Sequence, residues 1–159
     1  MTAREAFAAV RDALKGANIA EPDAKAREIV AHALGIGYAD IFFCPRVSQP
    51  QRFAIEAMAK RCALAEPVQY VTGKAYFRHL TLDVTPDVLI PRRETELVAQ
   101  KAIDLARQRA AASVLDMCTG SGCIAIAVAA ETGAQVDACD VSAKALAVAR
   151  RNALAHGAS

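Results

Sequence analysis

Two acidic residues and two glycines lie where the sequence predicts strand-to-helix turns. Asp116 ends an apolar stretch, and Gly120 and Gly122 follow it before an Ala/Ile run that can form a helix. A glycine turn at this place lets a ligand approach the backbone and presents free N–H groups at the helix start. The spacing Gly120-x-Gly122-x-x-Ala125, with Asp140 twenty residues after Gly120, fits a nucleotide-like cofactor whose ribose hydroxyls bind that acid.

By spacing alone, NAD and S-adenosylmethionine both fit this turn. The carboxylate of Asp116 would lie near the middle of the ligand, where it would repel a pyrophosphate but attract the ammonium and sulfonium charges of S-adenosylmethionine. We therefore favour S-adenosylmethionine. Two structural alternatives stay open: Asp116 could only cap the turn by accepting nearby backbone N–H groups, and Asp140 could be an acid favoured at a helix start.

The elements that must position this turn follow a β, turn, α, β, α order. Strands are predicted at residues 113–117 and 135–140, and helices at residues 122–131 and 142–156, the second with Ser142 as its N-cap. Such alternation builds a parallel sheet with right-handed crossovers. Two parallel strands leave open edges, whereas a doubly wound domain normally needs about five or more, so we expect the first part of a longer protein.

The first third of the chain predicts a small helical bundle. Apolar residues recur at helical spacing from Ala3 to Leu14 and from Ala26 to Leu34, and one short helical turn is predicted at residues 38–43. Ser48 is a predicted N-cap for a further helix. The expected apolar face of that helix comprises Phe53, Ala57, Met58 and Leu64.

A β-hairpin connector is predicted between the bundle and the glycine turn. Residues 80–84 alternate apolar and polar side chains, Pro86-Asp87 supplies a turn, and residues 88–90 can return as a second strand. A helix is predicted over residues 94–109. Its helical spacing runs through Leu97, Val98, Lys101, Ala102 and Leu105. The expected organisation is a helical domain at 1–68, the hairpin connector at 69–92 and a cofactor-binding domain at 93–159.

Composition excludes several classes of protein. The 19 basic and 17 acidic residues are mixed along the sequence and give a net charge of +2, which is no strong footprint for nucleic acid. The five cysteines include no C-x-x-C pair, so a zinc site is not expected. An odd cysteine count with no signal peptide and no long apolar span predicts reduced thiols in a cytoplasmic protein without membrane contact.

Longer stretches around the turn resemble a known family. They read, in chain order, E-P-V-Q-Y-V-T-G-K-A-Y-F, V-L-I-P-R-R-E-T-E-L-V, D-M-C-T-G-S-G-C-I-A-I-A and A-C-D-V-S-A-K-A-L-A-V-A-R-R-N-A. In this order they resemble the protein N5-glutamine methyltransferases. Among these, the resemblance is closest to the peptide chain release factor glutamine methyltransferases, known as HemK or PrmC, and it covers nearly the whole chain.

The resemblance implies a fold and a set of cofactor contacts. The implied fold is α/β: an N-terminal helical bundle, a β-hairpin connector, then the first βαβα part of a Rossmann-like class I methyltransferase domain with an incomplete sheet. S-adenosylmethionine would bind beside Asp116 and across the loop, while Asp140 would hold the ribose. The loop residues are Cys118, Thr119, Gly120, Ser121 and Gly122. Thr95 would lie beside the pocket, in a segment with Pro91, Arg92, Glu94 and Glu96.

The implied activity is methyl transfer to the side-chain amide of a glutamine. In the family, the acceptor glutamine belongs to the Gly-Gly-Gln loop of a release factor, and the helical domain and hairpin help to recognise that partner. We expect a monomer that has no sequence-specific nucleic acid partner. The sister enzymes that methylate a ribosomal protein have a similar loop, but the P-R-R-E-T-E segment favours the release factor branch.

Three departures from the family pattern bear on these expectations. Cys118 stands where the loop commonly has its first glycine, so the sequence alone does not require a positive φ there. Arg93 replaces the proline of the more usual P-R-P-E-T-E. The family's catalytic Asn-Pro-Pro-Tyr, which would aim the poorly nucleophilic amide nitrogen at the sulfonium methyl, does not occur in these residues. We therefore expect part of a cofactor pocket and no catalysis by this chain alone.

Other classes of function remain as alternatives. A non-catalytic binding module left by truncation would use the helical bundle to dock a partner of the ribosome. An NAD-linked protein would use the G-x-G-x-x-A match, and competition between NADH and S-adenosylmethionine would separate the two cofactors. A nucleic-acid adenine methyltransferase is disfavoured by the weak net charge and by the helical domain.

Overall fold

The chain divides into two compact units, Met1–Thr72 and Gly73–Ser159. The structure is a computed structural model, and it describes residues 1–43, 46–109 and 113–158. Within these ranges, no helix combines the length and the apolar character that crossing a membrane requires.

The first unit is helical, as predicted. It consists of α1 (Ala3–Gly16), α2 (Pro22–Leu34), a 3₁₀ turn (Ala39–Phe42), α3 (Gln49–Ala63) and α4 (Val68–Thr72). Ser48 is the N-cap of α3, where its hydroxyl accepts the Gln51 N–H and the Gln51 side chain accepts the Ser48 N–H, forming a capping box. The single turn of α4 was not predicted.

The predicted apolar face of α3 was wrong in part, since of its residues Met58 packs against the core. Ile55, Ala59 and Cys62 are buried, whereas Phe53 and Leu64 are 60% and 78% exposed. The buried residues recur at i, i+4 and i+7 and belong to the core of α1 and α2. Both faces of α3 show helical periodicity, and the larger side chains favoured the wrong face because the residues that pack here are mostly small.

Over residues 73–109 and 113–158, the second unit combines two pairs of strands with three helices. Its elements are β1 (Lys74–Phe77), β2 (Leu80–Asp83), α5 (Thr95–Arg107), β3 (Ser113–Met117), α6 (Cys123–Thr132), β4 (Gln135–Cys139) and α7 (Ala143–Ala155). Strands β3 and β4 pair in parallel, with Asp116 opposite Ala138 and Met117 opposite Cys139. The predicted β, turn, α, β, α order is therefore confirmed.

One face of the β3–β4 pair is packed. Val114 and Val136 contact a buried cluster of Ile103, Ala106 and Val128 from α5 and α6. The opposite face carries the exposed side chains of Leu115 and Met117. The predicted face of α5 was wrong in part: Ala102 packs against this cluster, whereas Leu97, Val98 and Leu105 are exposed. The buried positions of α5 are Ala99, Ile103 and Ala106.

The β-hairpin exists, but it lies earlier in the chain than predicted. Strands β1 and β2 pair antiparallel, with Phe77 opposite Leu80, so the turn is Arg78-His79. Residues 88–90 form no strand; instead the Val88 N–H donates to the Thr85 carbonyl at 3.1 Å in a local turn. The turn predicted at Pro86-Asp87 was thus found, but it does not connect the strands.

The hairpin turn is held by groups far away in the sequence. Arg78 has a φ of 53°, and its backbone N–H donates to Glu96 Oε1 at 3.0 Å. Its guanidinium donates to both carboxylate oxygens of Glu131, at 2.7 and 3.0 Å, and to Gln100 Oε1 at 2.9 Å. These bonds connect the hairpin to α5 and to α6, and the glycine turn lies directly before α6.

Candidate functional site

The glycine turn follows β3 and starts α6 through three residues with left-handed backbones. Cys118, Gly120 and Gly122 have φ values of 62°, 55° and 83°. The Thr119 N–H donates to the Cys139 carbonyl at 3.0 Å, which ties the turn to the end of β4. Cys118 therefore keeps the positive φ that its side chain disfavours, at a cost of about 1 kcal/mol.

Gly120 and Gly122 have different roles. A Cβ added at Gly122 would lie 3.0 Å from Ile126 Cδ1 and 3.3 Å from Ala149 Cβ, so this glycine allows α6 and α7 to pack closely. A Cβ added at Gly120 would meet no atom within 4 Å. Gly120 is therefore the position where a ligand can come near the backbone.

Asp116 caps the turn with one of its oxygens. Its Oδ2 accepts the Thr119 hydroxyl at 2.7 Å and the Ala125 N–H at 3.2 Å. The structural alternative for Asp116 is thus real, because this carboxylate satisfies one of the free N–H groups of α6. Among the described residues, Oδ1 receives no hydrogen bond, so half of the carboxylate is left to act on a ligand.

Asp140 joins the two turns that follow β3 and β4. Its Oδ2 accepts the Gly120 N–H and its Oδ1 accepts the Ser142 N–H, both at 2.9 Å. These donors, Ser142 first and then Gly120, lower the pKa of the Asp140 carboxyl below its ordinary value. Ser142 also caps α7, as predicted, by accepting the Ala145 N–H at 3.2 Å. The result is an anionic group at the carboxyl ends of two adjacent parallel strands.

Ser121 is a buried residue of the turn. The residue is 2% exposed, and its backbone carbonyl accepts Asn152 Nδ2 at 2.8 Å. Its hydroxyl makes no hydrogen bond within the described residues. The neighbouring Cys123 thiol has its pKa raised, mainly by burial. The cofactor contact predicted for Ser121 stays a prediction, while its carbonyl supports the turn through the bond from Asn152.

Asn152 is a site-related residue that the sequence analysis missed. It is 1% exposed and lies on the face of α7 that also buries Ala145, Val148 and Ala149. An asparagine among small apolar residues at helical spacing is a signal that could have identified it, because a buried amide must find hydrogen-bond partners.

Thr95 and its neighbours lie at the start of α5. Thr95 is half-buried and its N–H donates to the Arg92 carbonyl at 3.1 Å. Glu94 is exposed, and Glu96 is held by the Arg78 N–H. No hydrogen bond among the described residues joins this segment to the glycine turn, so the structure brings together Asp116, the loop and Asp140 but gives Thr95 no direct link to them.

Two family profiles match the chain in succession. The first, the PrmC N-terminal domain, matches residues 5–73, and the second, the methyltransferase small domain, matches residues 69–159.

Many curated relatives carry the name release factor glutamine methyltransferase. The chain is 39% identical to the one from Streptomyces coelicolor, over 87% of this chain and 50% of the relative. It is 41% identical to that of Chlorobaculum tepidum, over 89% and 51%, and 44% identical to that of Burkholderia pseudomallei, over 80% and 46%. The chain spans about half the length of these relatives. These matches confirm the resemblance predicted from the motifs, and the chain belongs to the methyltransferase small domain family.

Proposed function

We propose that this chain is part of an S-adenosylmethionine-dependent enzyme that methylates the side-chain amide nitrogen of a glutamine in peptide chain release factors. The names of the relatives support the reaction and the substrate. The glutamine would be that of the Gly-Gly-Gln loop, as the motif resemblance implies. The expected setting is the cytoplasm, with the protein acting as a monomer.

The observation that carries the cofactor proposal is the pair formed by Asp140 and Gly120. The carboxylate oxygens of Asp140 each accept one backbone N–H and keep lone pairs for the two hydroxyls of a ribose. The space beside the Gly120 Cα is open. Val141, next in the chain, is fully exposed and offers apolar surface for an adenine ring. Ligands of parallel α/β folds bind at this end of the strands.

The free oxygen of Asp116 supports S-adenosylmethionine over NAD. A carboxylate at the end of β3 attracts the cationic methionyl part of this cofactor and repels a pyrophosphate. The bound cofactor would supply an electrophilic methyl group on its sulfonium. The residues of this chain would bind and orient it: Asp140 at the ribose, Asp116 toward the positive charge, and the loop backbone along one side.

We propose that cofactor binding and methyl transfer are separable in this chain. Its residues include no Asn-Pro-Pro-Tyr segment to position the acceptor amide. The chain would therefore bind S-adenosylmethionine without transferring the methyl group. The helical domain predicted at residues 1–68 would serve to recognise the release factor, and residues 69–92 would connect it to the cofactor-binding part.

Calorimetric titration with S-adenosylhomocysteine tests the cofactor assignment, with NADH as the competitor. We expect binding that NADH does not displace, and we expect Asp140→Asn to weaken it by about tenfold, since an amide replaces the charged acceptor. Asp137→Asn is the matched control, because Asp137 is an exposed acid on β4 itself. Displacement by NADH, or equal weakening in both variants, would contradict the proposal.

Transfer of a labelled methyl group tests whether this chain separates cofactor binding from catalysis. The chain is incubated with labelled S-adenosylmethionine and either a release factor or ribosomal proteins, and a full-length relative serves as the positive control. We expect cofactor binding without label in either acceptor. Label in the release factor would contradict the separation of binding from transfer, and label in a ribosomal protein would favour the sister activity. Release factor binding without any cofactor binding would favour a non-catalytic module.

A further inference from the structure

Asn152 joins three parts of the second unit through one buried amide. Its Oδ1 accepts the Asp83 N–H at 2.7 Å, and its Nδ2 donates to the Asp83 carbonyl at 3.0 Å. The same Nδ2 donates to the Ser121 carbonyl at 2.8 Å. The amide of one α7 residue thus connects the end of the hairpin with the glycine turn, across 69 and 31 positions of sequence.

The orientation of this amide is fixed by its partners. Two carbonyl oxygens require donors and one backbone N–H requires an acceptor, and an asparagine supplies all three. Asn152 is 1% exposed, so water does not replace a lost partner easily. An aspartate at position 152 keeps an acceptor for the Asp83 N–H but places its second oxygen against the two carbonyls. A serine there is too short to reach the Asp83 N–H and both carbonyls.

The bond to Ser121 acts on the part of the turn that faces a ligand. The peptide unit between Ser121 and Gly122 is held at both ends: its carbonyl accepts Asn152 Nδ2, and its N–H donates to the Thr119 carbonyl at 2.8 Å. That N–H bond closes a four-residue turn whose second residue is Gly120. Fixing this peptide therefore fixes the direction of the Gly120 N–H, which Asp140 accepts.

Other contacts between α7 and the hairpin region do not reach the turn. His156 Nε2 lies 2.9 Å from the Thr81 carbonyl, and Lys144 Nζ lies 3.3 Å from Asp87 Oδ1. His156 is the C-cap residue of α7 and follows Asn152 by about one turn. His156 thus provides a matched control, since it links the same helix to the same strand without touching the loop.

We infer that Asn152 is a positioning residue for cofactor binding: it holds the Ser121–Gly122 peptide so that the glycine turn keeps the shape that the ligand requires. This inference rests on the proposed function, because the ligand is taken to be S-adenosylmethionine. Asn152 touches no ligand itself. Its effect passes through the turn to Gly120 and Asp140.

The test compares Asn152→Asp, Asn152→Ser and His156→Ala with the wild-type chain. At pH 8 we expect Asn152→Asp to bind S-adenosylhomocysteine about tenfold more weakly than wild type, since a buried carbonyl loses its donor. The ratio to wild type should shrink as the pH is lowered toward 5.5, because the introduced carboxyl group, once protonated, again donates one hydrogen bond. For His156→Ala we expect a lower unfolding midpoint but a dissociation constant within about twofold of wild type.

Amide hydrogen exchange separates this inference from the proposed function. Exchange at the Gly122 N–H should be about tenfold faster in both Asn152 variants than in wild type or His156→Ala, whether or not any cofactor binds. If wild type binds no S-adenosylhomocysteine, the proposed function fails and exchange alone decides the positioning role. Unchanged exchange at Gly122, affinity losses equal to those of His156→Ala, or failure of both Asn152 variants to fold would each overturn the inference.

Discussion

The Asp140 carboxylate accepts the backbone N–H of Gly120 at 2.9 Å, from a position twenty residues further along the chain. The bond connects the turn after β3 with the turn after β4, so neither can move without the other. It also leaves the α-carbon side of Gly120 facing open space. Asp140 and Gly120 therefore form one structural unit. Substitutions in the turns it joins should have effects on stability and on cofactor binding that can be measured separately.

Gly120→Ala should weaken cofactor binding more than it weakens the fold. The added methyl group meets no protein atom within 4 Å, so the cost to stability is the left-handed backbone at φ 55°, about 1 kcal/mol. The same methyl group would occupy the space through which a ligand approaches the loop. Titration with S-adenosylhomocysteine and urea unfolding of the same variant would measure the two effects, and a loss of stability without a loss of affinity would refute this expectation.

Gly122→Ala should mainly destabilise the protein. Its Cβ would lie 3.0 Å from Ile126 Cδ1 and 3.4 Å from Ala149 Cα, at a φ of 83°. Left-handed strain and overpacking together predict a loss of about 2–4 kcal/mol in the free energy of unfolding. Urea denaturation measures this loss. A Gly122→Ala variant as stable as Gly120→Ala would show that α6 and α7 adjust freely.

The charged Glu131 carboxylate should stabilise the fold at pH values above its ordinary pKa, and this stabilisation should be lost in acid. Hydrogen bonds from Arg78 are the largest cause of the lowered pKa of this carboxyl, whose ordinary value is 4.5. The side chains of Arg78 and Glu131 are 17% and 18% exposed. A lowered pKa means that the folded state favours the charged form, so the contribution is complete above pH 4.5 and disappears as the pH falls through the folded pKa.

The measurement is the difference in unfolding free energy between wild type and Glu131→Gln from pH 7 to pH 3. We expect about 1–2 kcal/mol at pH 7, between the values of exposed and buried ion pairs, and a decreasing difference below pH 4.5. Glu56→Gln is the control: Glu56 forms an exposed pair with Arg52 and should contribute about 0.5 kcal/mol or less. A pH-independent difference for Glu131 would contradict the assignment.

Glu28 should show the opposite pH dependence. Burial raises the pKa of this carboxyl above 4.5, and a weak hydrogen bond from Thr72 Oγ1 at 3.4 Å offsets the shift only partly. The folded state therefore favours the neutral acid, and the associated stability is complete below pH 4.5 and is lost as the pH rises through the folded pKa.

Glu28→Gln should therefore raise the unfolding free energy at pH 7 by a small amount, below about 1 kcal/mol, since glutamine keeps an acceptor for Thr72 without the charge. The gain should vanish below pH 4.5. Urea unfolding at pH 7 and pH 4 tests it, and a variant less stable than wild type at pH 7 would count against the argument.

The fold around the site was predictable because local signals and long-range structure agree there. The residues from Ser113 to Ser142 combine a short apolar strand, two glycines and an N-cap serine, and each signal acts within a few residues. The resulting parallel pair and the caps were confirmed. Exact helix faces were harder to predict, since small residues such as Ala59 and Ala99 are buried while some larger apolar ones, such as Phe53 and Leu97, are exposed.

The features that could not be predicted depend on partners distant in sequence. The hairpin turn at Arg78-His79 contains no glycine, asparagine or proline, and its left-handed residue is held by Glu96 and Glu131, 18 and 53 positions away. The three bonds of Asn152 likewise join residues that no local window contains. Backbone strain and buried amides are determined by tertiary contacts, which local spacing does not encode.

The contrast between the two glycines has a consequence for how this chain would respond to selection. A mutant library enriched only for folded protein should retain glycine at position 122, while position 120 should accept asparagine or aspartate, which tolerate a left-handed backbone. A library enriched for ligand capture should retain both glycines. The residues recovered at position 120 would then show whether a population of variants had been selected for folding alone or also for ligand binding.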